Sequence, residues 1–205
     1  MDNEEEEEDG VIVIKSILLG ETGVGKTNLA NAVVDLRFDQ NSKSTVNALY
    51  VQKRMNIFGK DYELRLWDTA GQEQYRALTK LFYKDSKVVI FVYDITNKKS
   101  FTELNFWINE IKESLGDEPV LGIVGNKSDL NEFQKVDDDV AKKFAEEKGM
   151  KFKLVSTKEE PKSFKMFLRM LIKDYLKKNK KVNKKDNFEL EQEQNEDNHG
   201  SCLIQ

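Results

Sequence analysis

Cysteine and histidine are almost absent from this chain. Among its 205 residues there is one of each, Cys202 and His199, both in a polar C-terminal stretch. A single thiol excludes an intramolecular disulfide, which agrees with a reducing compartment. A lone histidine argues against histidine-based catalysis and against a histidine-rich metal site. No apolar run is long enough to span a bilayer, and the acidic N-terminus does not read as a secretory signal. There is no internal repeat. Carboxylates are abundant but scattered, and nothing separates them from a solvated surface. The basic residues are not interleaved with aromatics, so no nucleic-acid partner is expected.

What is present is uneven. The formal charge of −4 conceals an acidic block from Glu4 to Asp9 and a basic one from Lys173 through Lys185. A second acidic stretch follows, with Glu189, Glu191, Glu193, Glu196 and Asp197. The first block reads as disordered, and the C-terminal ones as a solvated helix end and a flexible tail. The length suits one domain with tails: a disordered acidic segment over 1–10, a folded domain over 11–178 and a flexible charged tail over 179–205.

Four segments of that domain carry chemistry. Gly20-Glu21-Thr22-Gly23-Val24-Gly25-Lys26-Thr27 fits a phosphate-cradling loop. Its glycines let the backbone wrap around phosphate oxygens with amide hydrogens inward, and the following helix adds its positive end. Lys26 supplies a point charge to the outer phosphates, and the Thr27 hydroxyl is a ligand for Mg2+. Alone, the loop does not separate ATPases, kinases and GTPases. Asp68-Thr69-Ala70-Gly71-Gln72 comes next, after the alternating stretch Tyr62 to Trp67. Asp68 is suited to hold Mg2+, Gly71 to bring its amide to a γ-phosphate, and Gln72 to orient an attacking water.

Asn126-Lys127-Ser128-Asp129 follows the apolar stretch Val120 to Val124. A carboxylate at Asp129 accepts from both N1–H and the exocyclic amine of guanine. Adenine offers no such pair of donors, and a site with a buried acceptor penalises the ligand that leaves it unpaired. The Lys127 stem is long enough to lie along base and ribose. Ser156-Thr157-Lys158, after the strand Lys151 to Val155, would close over the base from the other side. Taken together the segments read as a guanine-nucleotide site using Mg2+ and GTP or GDP.

Apolar strands alternate with helical patterns. Val11 to Leu19 and Lys87 to Tyr93 read as buried strands. Tyr50 to Ile57 and Asp61 to Trp67 read as a hairpin around Phe58-Gly59-Lys60. Leu29, Ala32, Val33 and Leu36 give a first helix. Phe101, Leu104, Ile108, Ile111 and Leu115 give a second, started by a capping box of Ser100 and Glu103. Val140, Phe144 and Ala145 mark a third. Phe164, Phe167, Leu168, Leu171, Ile172, Tyr175 and Leu176 form the stripe of a last one. The pattern predicts an α/β fold: a mostly parallel six-stranded sheet, one antiparallel edge strand, and helices on both faces. The nucleotide loops then fall at the carboxyl ends of strands.

Over about residues 11 to 178 these motifs resemble the Ras superfamily of small GTPases, a P-loop NTPase-type fold. Trp67-Asp68-Thr69-Ala70-Gly71-Gln72-Glu73 is highly specific for that group. Within it, Gln74-Tyr75-Arg76-Ala77-Leu78-Thr79, Phe82-Tyr83, Tyr93-Asp94-Ile95-Thr96 and Ser100-Phe101 are most similar to Rab proteins. The resemblance implies that Thr45, nineteen residues after Lys26, ligates Mg2+ and meets the γ-phosphate. It implies that Phe38 packs edgewise on guanine. It also matches Tyr50, Trp67 and Phe82 to the aromatic trio that Rab proteins present to effectors, with plain core packing as the alternative for Trp67 and Phe82. An exchange factor and a GTPase-activating protein are implied as partners.

The chain departs from the Rab pattern at Val46-Asn47-Ala48-Leu49-Tyr50, at Ser42 and at Thr22, and it has one terminal cysteine where two are usual. Cys202-Leu203-Ile204-Gln205 fits a prenylation signal, so a prenyltransferase and membrane lipid are further expected partners. One prenyl chain gives marginal affinity, and Lys177 to Lys185 are a candidate second signal to anionic lipid. The expectation is a GTP-hydrolysing switch on the cytoplasmic face of intracellular membranes, regulating vesicle traffic. A Ras-type signalling GTPase and a GTP-binding scaffold with little hydrolysis are the alternatives.

Overall fold

The computed structural model describes residues 7–8, 11–38, 49–69 and 81–179. The chain runs β1 (Glu7–Glu8), β2 (Val11–Leu19), α1 (Lys26–Val33), β3 (Leu49–Ile57), β4 (Lys60–Asp68) and β5 (Val88–Asp94). It continues α2 (Lys98–Thr102), α3 (Leu104–Leu115), β6 (Val120–Asn126), a 3-10 turn (Ser128–Phe133), α4 (Asp138–Glu147), β7 (Lys151–Val155) and α5 (Pro161–Lys178).

The sheet order is β3-β4-β2-β5-β6-β7, and β3 is the antiparallel edge strand. The other five run parallel. Every residue of β5 is buried, as expected for a central strand covered on both faces. Alternation divides it: Val88, Ile90 and Val92 enter the core with α1 and α5, while Val89, Phe91 and Tyr93 enter the core with α3 and α4. All seven residues expected along the α5 stripe are buried. Removing one, Phe164→Ala for example, costs about 3–5 kcal/mol.

Register lines up the strand ends. Leu18 pairs with Asp68, Leu19 with Phe91, Asp94 with Asn126, and Asn126 with Val155. The four candidate segments therefore leave the sheet from one edge.

Four local readings change. Glu7–Glu8, inside the segment read as disordered, pairs antiparallel with Val11 and Ile12. The intervening sequence is Asp9-Gly10, a pair favoured in two-residue hairpin turns. The β3–β4 loop is two residues, because Lys60 already pairs with Ile57. Phe58 and Gly59 both take positive φ, 53° and 73°, matching the strand twist.

The Ser100–Glu103 capping box does not form. Asn97 caps α2 instead, accepting from the backbone N–H of Lys99 at 3.1 Å and of Ser100 at 3.4 Å. Ser100 is fully buried, and its hydroxyl turns back to donate to the Asn97 carbonyl at 2.7 Å. On α4 the inward face is Ala141 and Ala145, while Val140 is 56% exposed. Asp137, accepting from Asp139 and Val140 N–H, starts that helix and sets its phase.

Candidate functional site

The phosphate-type loop joins the end of β2 to the start of α1. Two of its glycines are required by space and backbone together. Gly20 has φ of 150°, and a Cβ there would lie 2.1 Å from the Val92 carbonyl oxygen. Gly25 has φ of 96°, and its Cβ would lie 2.3 Å from Nδ2 of Asn126. Val24 is buried, while Thr22 and Gly23 face solvent. Gly25, with no side chain to cap α1, leaves the positive N-terminal end of the helix facing the loop, where an anion is favoured.

Lys26 is buried, and Nζ donates to the carbonyls of Gly20 at 2.8 Å and Glu21 at 2.9 Å. Burial lowers its pKa to about 8, against the opposing pull of the Asp68 and Glu21 carboxylates. The ammonium thus closes the loop on itself, in reach of whatever the loop encloses.

Thr27 follows, and its hydroxyl donates to Asp68 Oδ2 at 2.6 Å. Asp68 is buried at the end of β4, and the next residue, Thr69, donates to the Leu18 carbonyl at 2.7 Å. Two of the three residues expected to hold Mg2+ thus converge from segments 41 positions apart, and the third, Thr45, lies outside the described residues. Both present hard oxygen donors, which fits Mg2+. Among the described residues no group of three or more His, Cys, Asp or Glu is arranged for a metal. A cation at this position would therefore rely on few protein oxygens together with phosphate and water, the usual arrangement for Mg2+.

The segment expected to read the base leaves the end of β6. Asn126 is 1% exposed, and Nδ2 donates to the Val24 carbonyl at 2.8 Å. Its Oδ1 is buried with no hydrogen-bond partner among the described residues, an acceptor suited to a ligand donor. Lys127 is left-handed, with φ of 66°, and Nζ lies 2.6 Å from Asp94 Oδ2. Ser156 Oγ donates to Asp129 Oδ1 at 2.6 Å and accepts from Glu159 N–H at 3.0 Å. Thr157 is buried and Lys158 exposed beside them. Phe38, past the end of α1, is 40% exposed. Asp94 was missed as a site residue by sequence reasoning. Its signal was there, in Tyr93-Asp94-Ile95-Thr96, but the motif was read only as a family likeness.

The aromatic trio is continuous. Tyr50 and Trp67 pair across β3 and β4 with rings 5.0 Å apart, and Trp67 lies 5.5 Å from Phe82. Tyr50 is 47% exposed, and Trp67 and Phe82 are half-buried. Phe82 and Trp67 also pack against the core, as the alternative reading of these two rings expects. Thr45, Gly71, Gln72 and Cys202 lie outside the described residues.

The family model described as Ras family matches residues 15–177. The chain is 44% identical over 154 residues to Ras-related protein Rab-21 of Geodia cydonium, covering 75% of this chain and 67% of that protein. It is 35% identical over 170 residues to Ras-related protein YPTC6 of Chlamydomonas reinhardtii, covering 83% and 79%. It is 40% identical over 154 residues to Ras-related protein Rab-21 of Homo sapiens, covering 75% and 68%. A family match across the folded domain, with relatives at these identities, shows that this chain belongs to the Ras family of small GTPases and is similar to its Rab members.

Proposed function

We propose that this chain is a Rab-like switch that binds GTP, hydrolyses it to GDP and so times an event in vesicle trafficking. The observation that carries the reading is the Asn126–Val24 hydrogen bond, with Asn126 also in contact distance of Gly25. It makes the base-reading and phosphate-binding segments one site. The Rab and Ypt-type names of the relatives favour trafficking over Ras-type signalling.

In this reading Lys26 and the amides of Gly20 to Thr27 hold the β- and γ-phosphates. Asp129, steadied by Ser156, accepts from the two guanine donors. Asn126, Lys127, Thr157, Lys158 and Phe38 surround the base. Thr27, Asp68 and Thr45 would hold Mg2+, which neutralises charge developing on the phosphate oxygens. Gly71 donates its amide to the γ-phosphate and Gln72 orients the attacking water. A partner supplies an arginine in trans, worth about 10³- to 10⁵-fold in rate. Tyr50, Trp67 and Phe82 form the surface on which effectors read the bound state. Cys202 carries a prenyl group that holds the protein to the cytoplasmic face of a membrane, with a prenyltransferase, an exchange factor and a GTPase-activating protein as further partners.

Competition binding tests the core of this. Labelled GDP is displaced by GTP and not by ATP at equal concentration. Equal displacement by ATP would remove guanine recognition and the function with it.

A further inference from the structure

The Tyr93-Asp94-Ile95-Thr96 motif has no task in the reading above, yet its carboxylate reaches into the base-reading loop. Asp94 ends β5 directly beside Asn126, the residue that ends β6. Its two carboxylate oxygens have separate partners. Oδ1 accepts from the N–H of Thr96 at 2.8 Å and from the Thr96 hydroxyl at 2.7 Å. Oδ2 takes the ammonium of Lys127 at 2.6 Å. The backbone is held as well: Asp94 N–H donates to the buried Ser100 hydroxyl at 3.0 Å, and Ile95 N–H to the Asn126 carbonyl at 3.2 Å.

The Asp94 side chain is 10% exposed, so its position is set by the fold, while that of Lys127 is 33% exposed. A lysine left to itself at such exposure samples many rotamers. Here both ends are fixed. The backbone of Lys127 is left-handed, a conformation that a lysine keeps only when its surroundings enforce it. The ammonium is fixed by Asp94. The methylene stem is thus held between two fixed ends.

We propose that Asp94 is a positioning residue for Lys127, and that through it Asp94 sets how long a guanine nucleotide stays bound. The inference rests on the guanine-nucleotide reading of this site. Thr96 holds the same carboxylate from the other side, and Ser100 holds the Asp94 backbone. The motif read as a signature is then the support of one lysine.

Asp94→Asn is the selective change. The amide oxygen keeps the acceptor for Thr96, while the charge facing Lys127 is replaced by an N–H donor. Release of fluorescent GDP is followed in wild type, D94N, K127M, the D94N/K127M double variant and T96V. D94N is expected to release about tenfold faster, within the coupling range of residues in contact. K127M is expected to do the same, and the double variant to be no faster than K127M. T96V, which removes one hydrogen bond from the same carboxylate and leaves the ion pair, keeps the wild-type rate. The ratio of GDP to IDP affinity is unchanged in D94N, because Asp94 does not read the exocyclic amine.

Multiplied rates in the double variant, an unchanged rate in D94N, or T96V as fast as D94N each overturn the proposal. If D94N does not fold, D94E keeps the charge and is expected between wild type and K127M. Release at or beyond the K127M rate overturns it. The wild-type GTP-against-ATP competition is run alongside. Failure there removes the site reading, whereas guanine selectivity with unchanged D94N release removes only the role of Asp94.

Discussion

Asn126 donates from Nδ2 to the carbonyl of Val24 across 102 positions of sequence, at 2.8 Å and out of contact with solvent. One side chain thereby fixes the distance between the loop assigned to phosphates and the loop assigned to the base. Asn126→Ala leaves the Val24 carbonyl buried without its donor, which costs about 1–3 kcal/mol. For a chain of this size that lowers Tm by roughly 2–4 °C per kcal/mol. GDP affinity is expected to fall further than the fold loses stability, since both halves of the site move. Thermal melts of the nucleotide-free protein beside GDP titrations check this. A loss of affinity no larger than the loss of stability would reduce Asn126 to a packing residue.

Three of the four candidate segments were legible by residue type: Gly with Lys-Thr, an Asp at a strand end, and Asn-Lys-Ser-Asp after an apolar strand; Ser156-Thr157-Lys158 has no such mark and takes its meaning from the other three. The sheet was legible because β5 is wholly apolar and α5 has a seven-residue stripe. The break before α3 was not. Asn97 and Ser100 both suit a helix start, and only the burial of Ser100 decides that Asn97 caps. The phase of α4 was not legible either, since three apolar residues do not fix a face. The role of Asp94 was hidden because its partner lies on the next strand, reached only through the β5–β6 register. Glu7–Glu8 was hidden by its charge, because a run of carboxylates reads as disordered tail and not as strand.

Lys26 gives the site a pH dependence. Its folded pKa, about 8, lies below the ordinary 10.5. A lowered lysine pKa means that the unfolded chain binds more protons between those values, so the group costs stability below pH 8. That cost is removed as pH climbs toward 10.5. Phosphate acts the other way, because an anion beside the ammonium favours its charged form. GDP binding at pH above 8 is therefore expected to take up a proton and to weaken as pH rises. Calorimetry in two buffers of different ionisation enthalpy measures the uptake. No uptake at pH 8.5 would leave Lys26 charged throughout.

The 2.6 Å bond between Thr27 and Asp68 joins two of the three residues assigned to Mg2+. Chelating Mg2+ is expected to speed GDP release in wild type by a large factor and to have little effect in Asp68→Ala, where release is already fast. The Thr27→Val variant separates hydroxyl from shape and should resemble D68A. If chelation accelerates release equally in all three, the metal is held elsewhere.

The two tryptophans offer a reporter with its own control. Trp67 is half-buried between Tyr50 and Phe82, three residues before the segment Ala70 to Gln72 that is assigned to the γ-phosphate. Trp107, on α3, is 2% exposed in the core. A ring contact 5.0 Å from one neighbour and 5.5 Å from the other is sensitive to small shifts of either. Exchange of GDP for a non-hydrolysable GTP analogue is therefore expected to change tryptophan emission through Trp67 alone. Trp67→Phe should abolish the change while GDP release stays at the wild-type rate, and Trp107→Phe should preserve it. If W107F removes the signal and W67F does not, the trio is a static part of the core, and the effector surface must be sought elsewhere.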